Sequence, residues 1–152
     1  MNLNPPQPRV FISLGSNQGD RAAFLRRARE ALGEHGAIRV LRESKILENP
    51  AILHEEQPDF LNQIIEIETG LPAPELLRLV LDLEKELGRT PTFKNGPREI
   101  DIDILAYGDL SLNTADLKLP HPGIFDRNYL HNLLADMGES VDTLSRSDYE
   151  RD

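Results

Sequence analysis

The chain has 152 residues, 39% hydrophobic and 28% charged, which suits one globular domain with a sizeable core. It has no cysteine, which excludes disulfides, thiolate chemistry and Cys-type zinc sites, and no run of about 18 apolar residues marks a membrane span. A net charge of −9 argues against wholesale binding of nucleic-acid backbones, and the start of the chain lacks the basic-then-apolar pattern of a signal peptide, which fits a cytoplasmic protein.

Residues 1–8, MNLNPPQP, read as a flexible proline-rich leader. "RVFISLG", from Arg9, is a short apolar strand ended by Gly15. "SNQGD" follows as a turn, and Asp20 is placed to cap a helix running to Glu34, with Phe24, Ala28, Ala31 and Leu32 as its apolar stripe. "AIRVLRESKIL" is a strand whose inward candidates are Ile38, Val40 and Ile46, with the register open near Arg42. "ENPAILHEEQP" is a proline-bounded loop, and in "DFLNQIIEIET" Ile65 and Ile67 alternate with Glu66 and Glu68 as in a strand.

"PELLRLVLDLEKEL" is the clearest helix, with Pro74 in the first turn, Gly88 as the stop, and Leu76, Leu79, Val80, Leu83 and Leu87 facing inward. After the polar loop "RTPTFKNGP" comes "REIDIDIL", in which Ile100, Ile102 and Ile104 alternate with Asp101 and Asp103. The order is β-α-β-β-α-β, an α+β chain of ferredoxin-like type: an antiparallel sheet with helices packed on it. A C-terminal extension adds a turn and a helix near Arg127 to Met137. The single domain is thus expected over residues 9–137, and residues 138–152, acidic and hydroxylic, are expected to be structureless.

The costliest feature is the acid pair. Two aspartates on one strand face stand about 7 Å apart and repel by roughly 0.6 kcal/mol in water, or about 2.4 kcal/mol at an effective dielectric near 20. Asp101 and Asp103 are either a solvated strand face, joined by Glu99 of the same parity, or a hard-cation site in which Mg²⁺ turns the repulsion into ligation. Arg98 directly precedes them in the "GPR" turn and Arg89 follows the preceding helix; each is an ordinary surface residue singly, yet beside an acid pair they are what phosphate transfer requires. His121, between two prolines, has a stiff backbone, and Arg127 and Tyr129 open the last helix behind Asp126. Phe60 and Asn62 share a strand face; they can stack on and hydrogen-bond a heterocycle, or be core and edge cap. Walker A, GxGxxG, GxSxG and HExxH motifs are absent.

Taken in order, "SLGSN", "QPDFLN", "LEKELGR", "GPREIDIDIL", "LPHP" and "DRNYL" closely resemble the 6-hydroxymethyl-7,8-dihydropterin pyrophosphokinase family, over roughly Val10 to Met137. The resemblance implies a folate-pathway monomer that moves the β,γ-diphosphate of ATP, its co-substrate, onto the hydroxymethyl group of a reduced pterin and releases AMP. It implies that Asp101 and Asp103 hold two Mg²⁺ ions and that Arg89 and Arg98 contact phosphates, with Arg98 assisting transfer. Arg127 and His121 would bind the triphosphate, with Glu84 and Ile104 also on the nucleotide side. Asn62 would read the pterin edge and Tyr129 stack on its ring, with Phe60, Asn49, Pro50 and Asn95 completing that site.

The chain departs from the family pattern at three positions. Asn95 stands where a tryptophan would clamp the pterin, with Phe93 two residues away; Pro91 replaces a basic residue; and Asn49 replaces a threonine. A homologue that binds these ligands with weakened turnover is the alternative of the same fold. An RNA-binding ferredoxin-like sheet is another, opposed by the charge and by the lack of an aromatic RNA-binding strand.

Overall fold

The computed structural model describes residues 8–51, 56–94 and 96–145. Four strands make the expected βαββαβ core: β1 (Arg9–Ser16), β2 (Ile38–Glu43), β4 (Phe60–Thr69) and β5 (Asp101–Tyr107). They lie in the order β2-β4-β1-β5, every neighbour antiparallel. A short β3 (Leu47–Asn49) also pairs with β4, so the one expected strand is two. The break falls at Ser44, whose hydroxyl accepts the Ile64 N–H at 2.9 Å while its carbonyl accepts from the Gln63 amide. Beyond it Ile46 is exposed, not inward, because the chain has left the ladder there. The open register near Arg42 corresponds to an irregularity between Val40 and Arg42.

α1 (Arg21–Glu34) and α2 (Ala73–Glu86) cover one face of the sheet. Asp20 caps α1 by accepting the Ala23 N–H at 3.1 Å. The stripe of α1 is rotated from the expected one: Leu25 is fully buried with Ala28 and Leu32, while Phe24 sits at the flank with the Arg27 guanidinium 5.7 Å from its ring. In α2 the buried line includes Leu76, Val80, Leu83 and also Glu84, and Gly88 beyond the helix takes φ +106°, the left-handed C-terminal stop. On this face Val10, Ile12, Leu14, Ile65, Ile67, Ile100, Ile102 and Ile104 form one core with the two helices.

The opposite face is the one that matters for function. A bulge pairs Phe11 with Ala106 and Ile12 with Ile104, so Leu105 is the extra residue of β5. Phe11, Ile64, Leu105 and Ala106 are covered there by Ile124 of a 3₁₀ turn (Pro122–Phe125) and by Leu130, Leu133 and Leu134 of α3 (Asn128–Asp136). The C-terminal extension thus makes a third layer over half of the sheet. A small hairpin of β6 (Leu112–Asn113) and β7 (Lys118–Leu119) leads into it.

Residues 138–145 depart from the expected structureless tail. Glu139 pairs with Arg9 and, at 2.9 Å, with Arg42, while α4 (Val141–Ser145) buries Leu144 against the α3 cluster. Both arginines also hold the buried Glu66, at 2.6 and 2.7 Å, so the tail is ordered by charges far away in sequence. The leader as far as residue 7 and the tail from 146 lie outside the described residues.

Candidate active site

The uncovered half of the second face begins where β1 turns polar. Ser13 stands across from Asp103, and Gly15 across from both Asp101 and Asn62, so one central strand spaces an acidic wall on β5 from a carboxamide wall on β4. Gly15 is required by that spacing: a Cβ there would lie 2.8 Å from Asn62 Oδ1. Asn62 is almost fully buried and donates to Asn49 Oδ1, which fixes its orientation.

Two cavities meet at the acid pair. The smaller, about 80 Å³, is lined by Asn49, Pro50, Phe60, Asn62, Arg127 and Tyr129; the larger, about 420 Å³, by Glu84, Arg89, Ile104 and His121. Arg98, Asp101 and Asp103 line both. The structure therefore brings together every site residue expected from sequence except Asn95, which lies outside the described residues. Phe93 is largely exposed and lines neither cavity. Glu99 leaves the acid face: it accepts from the N–H and hydroxyl of Thr90, both at 3.0 Å, and so closes the neck of the loop that carries Arg89 and Arg98.

Charge is arranged in layers. Asp101 receives Arg89 on one oxygen and Arg98 on the other, each at 3.2 Å. Asp103 has no such partner among the described residues, and burial, then the negative charge of Asp101, pushes its pKa up to about 7. Glu84 Oε2 accepts both the Ile102 N–H and Arg89 Nη1 at 2.7 Å, and burial raises its pKa. That carboxylate thus locks Arg89 to the strand bearing the aspartates. Two carboxylates thus share one cavity wall, one paired to arginines and the other facing the cavity. Among the described residues no group of three or more His, Cys, Asp or Glu side chains is placed to hold a metal ion; the acid wall offers two carboxylates, Asp101 and Asp103. That is what Mg²⁺ accepts when waters and phosphates fill its remaining positions.

His121 is set by its neighbours as well. Its Nδ1 accepts the Gly123 N–H at 2.9 Å, which leaves Nε2 to carry the proton and act as a donor. Burial, then the charge of Arg127, lowers its pKa, so the ring is held neutral. Gly123 permits this packing: a Cβ would lie 2.8 Å from Arg127 Nε and 3.0 Å from His121 Nδ1.

Sequence reading missed Ser13, Gly15 and Gly96 in the smaller cavity, and Leu77, Leu81 and the hairpin residues 115–118 in the larger. Leu81 carried a usable signal: it is an exposed leucine on α2 in helical line with Leu77 and Glu84.

Comparison with known proteins decides what this geometry belongs to. Residues 11–139 match the family described as 7,8-dihydro-6-hydroxymethylpterin-pyrophosphokinase. The chain is a member of that family. It is 40% identical over 133 residues to the 2-amino-4-hydroxy-6-hydroxymethyldihydropteridine pyrophosphokinase of Bacillus subtilis, covering 88% of this chain and 80% of the relative. The pyrophosphokinase of the same name from Aquifex aeolicus is 42% identical over 120 residues, covering 79% and 74%. Among solved structures, an HPPK-DHPS of Plasmodium falciparum superposes with a TM-score of 0.61 at 15% identity, over 99% of this chain and 45% of that one, a likeness of fold. As a pyrophosphokinase-family member the chain is a diphosphate transferase of folate synthesis, with small molecules as substrates. No helix among the described residues is long and apolar enough to cross a membrane.

Proposed function

We propose that the chain transfers the diphosphate of ATP to the hydroxymethyl group of 6-hydroxymethyl-7,8-dihydropterin with the pterin in the smaller cavity and the triphosphate in the larger. The observation that carries this placement is the shared wall: Arg98, Asp101 and Asp103 border both cavities, so a hydroxyl in one faces a phosphorus in the other. Asn62 and Asn49 present a carboxamide edge to the heterocycle, Phe60 and Tyr129 its apolar contacts. His121 donates from Nε2, and Arg89, Arg98 and Arg127 spread positive charge along the phosphates.

Asp101 and Asp103 would hold two Mg²⁺ ions, which neutralise phosphate charge when bound. Arg89 and Arg98 now occupy the Asp101 oxygens and would transfer to phosphate as the carboxylates turn to the cations. The residues' task is to align the pterin oxygen with the β-phosphorus and the bond leading to AMP, and to keep water out. A wall of carboxylates repels a nucleic-acid backbone, which supports small-molecule substrates over RNA. We read the protein as a monomer of the cytoplasm.

A weakened enzyme is the second reading, favoured by Pro91 where the family pattern has a basic residue and by the exposure of Phe93. Release of AMP from ATP, Mg²⁺ and the pterin, with ATP alone as control, tests the proposal. Folded protein that binds both ligands tightly and makes no AMP would select the second reading.

A further inference from the structure

Asn17 lies just past β1, is 1% exposed, and has no place in either cavity lining. It nevertheless takes both main-chain polar groups of Arg98. The Asn17 N–H donates to the Arg98 carbonyl at 3.0 Å, and its side-chain Oδ1 accepts the Arg98 N–H at 2.8 Å. The same carboxamide reaches the other way: Nδ2 donates to Gln57 Oε1 at 3.0 Å and to the Pro58 carbonyl at 3.2 Å. Gln57 and Pro58 lead directly into β4, which presents Phe60 and Asn62 to the smaller cavity.

Arg98 needs such a hold. Pro97 before it has no N–H, and the β1–β5 ladder begins only at Asp101. Among the described residues its guanidinium has one ion pair, at 3.2 Å to Asp101, and its buried Nε has no hydrogen-bond partner. The side chain is thus aimed from its main chain, and the main chain is aimed by Asn17.

We infer that Asn17 is a positioning residue, which sets Arg98 against the acceptor wall by joining the arginine's backbone to the segment that opens β4. This rests on reading Arg98 as the arginine that faces the transferring phosphate. A misplacement near 1 Å is enough to cost about a hundredfold in rate. Asn17→Ala therefore lowers kcat by about 10- to 100-fold while the KM for ATP stays within about twofold.

The experiment is a double-mutant cycle on the full chain, following AMP release for wild type, Asn17→Ala, Arg98→Ala and the double variant, with circular dichroism to confirm folding. Because Asn17 acts through Arg98, the double variant matches Arg98→Ala alone, well short of the product of the two losses. Multiplicative losses, or Asn17→Ala with wild-type kcat, overturn the inference. An unimpaired Arg98→Ala overturns instead the reading beneath it.

Should Asn17→Ala fail to fold, Asn17→Asp carries the test. It keeps the acceptor for the Arg98 N–H and loses the donor toward Gln57 and Pro58. With the joint to β4 broken, it is expected to lower kcat about 10-fold, toward but not below that of Arg98→Ala, while the KM for ATP stays within about twofold. A wild-type kcat would refute the positioning role.

Discussion

At one end of the sheet's second face Phe11, Ile64 and Leu105 lie dry beneath α3; at the other, Ser13, Gly15, Asn62, Asp101 and Asp103 border cavities. The same three strands supply both sets, and along β5 only the bulge at Leu105 separates one from the other. The difference comes from what covers them. Helix α3 spans half the face, and apolar residues follow its footprint; beyond its edge an uncovered strand can carry carboxylates that meet arginines and solvent. Stability is concentrated in one half and chemistry in the other.

Exchanging the requirements of the halves should break this division, and the largest effect belongs to the acid wall. Asp103→Ala is expected to lower AMP release by at least about a thousandfold, with the thermal melt of the folded chain unchanged within a few degrees. A near-normal rate would remove Asp103 from the metal site. In the covered half Leu130→Ala, at a fully buried position, should destabilise by about 2–5 kcal/mol in urea unfolding, yet leave kcat per folded molecule near wild type. Loss of kcat at full folding would show that α3 shapes the site directly.

Gly15→Ala falls on the polar side, where its methyl group would press on Asn62. It should raise the KM for the pterin about tenfold and leave the KM for ATP alone. The smallest effect concerns the arginine-held Glu66. Its burial favours the protonated form, but hydrogen bonds from Arg9 and Arg42 outweigh that and its pKa is lowered. A lowered folded-state pKa contributes stability above the ordinary glutamate value, lost as pH falls through the folded-state value. The stability gap between wild type and Glu66→Gln should therefore be full near neutrality and shrink below about pH 4.5; a constant gap would mean that packing alone is lost.

The comparison also shows what a sequence can reveal. The alternation of Ile100, Ile102 and Ile104 was legible because a strand repeats every two residues, and so were Asp101 and Asp103 on the other side. The βαββαβ order followed from similar local periodicities. Ser13 and Gly15 were hidden in a strand that reads as plain core, because only the pairing of β1 with both β4 and β5 makes them a floor. Glu84 stood at an inward helical position, but its partners Ile102 and Arg89 come from elsewhere in the chain. The order of residues 138–145 was invisible for the same reason: Glu139 meets Arg9 some 130 positions away.

That last contact fixes where the chain enters and leaves the fold. Arg9 begins β1 and Gly15 lies six residues on, about 20 Å along the strand, beside the acid wall. Entry and exit are therefore fastened together at the pole remote from the ligands. A permuted chain joined near Arg9 and Glu139 and reopened between β6 and β7 would bring its new ends to residues 115–118, which line the larger cavity, so a module tethered to them would crowd the ligand mouth.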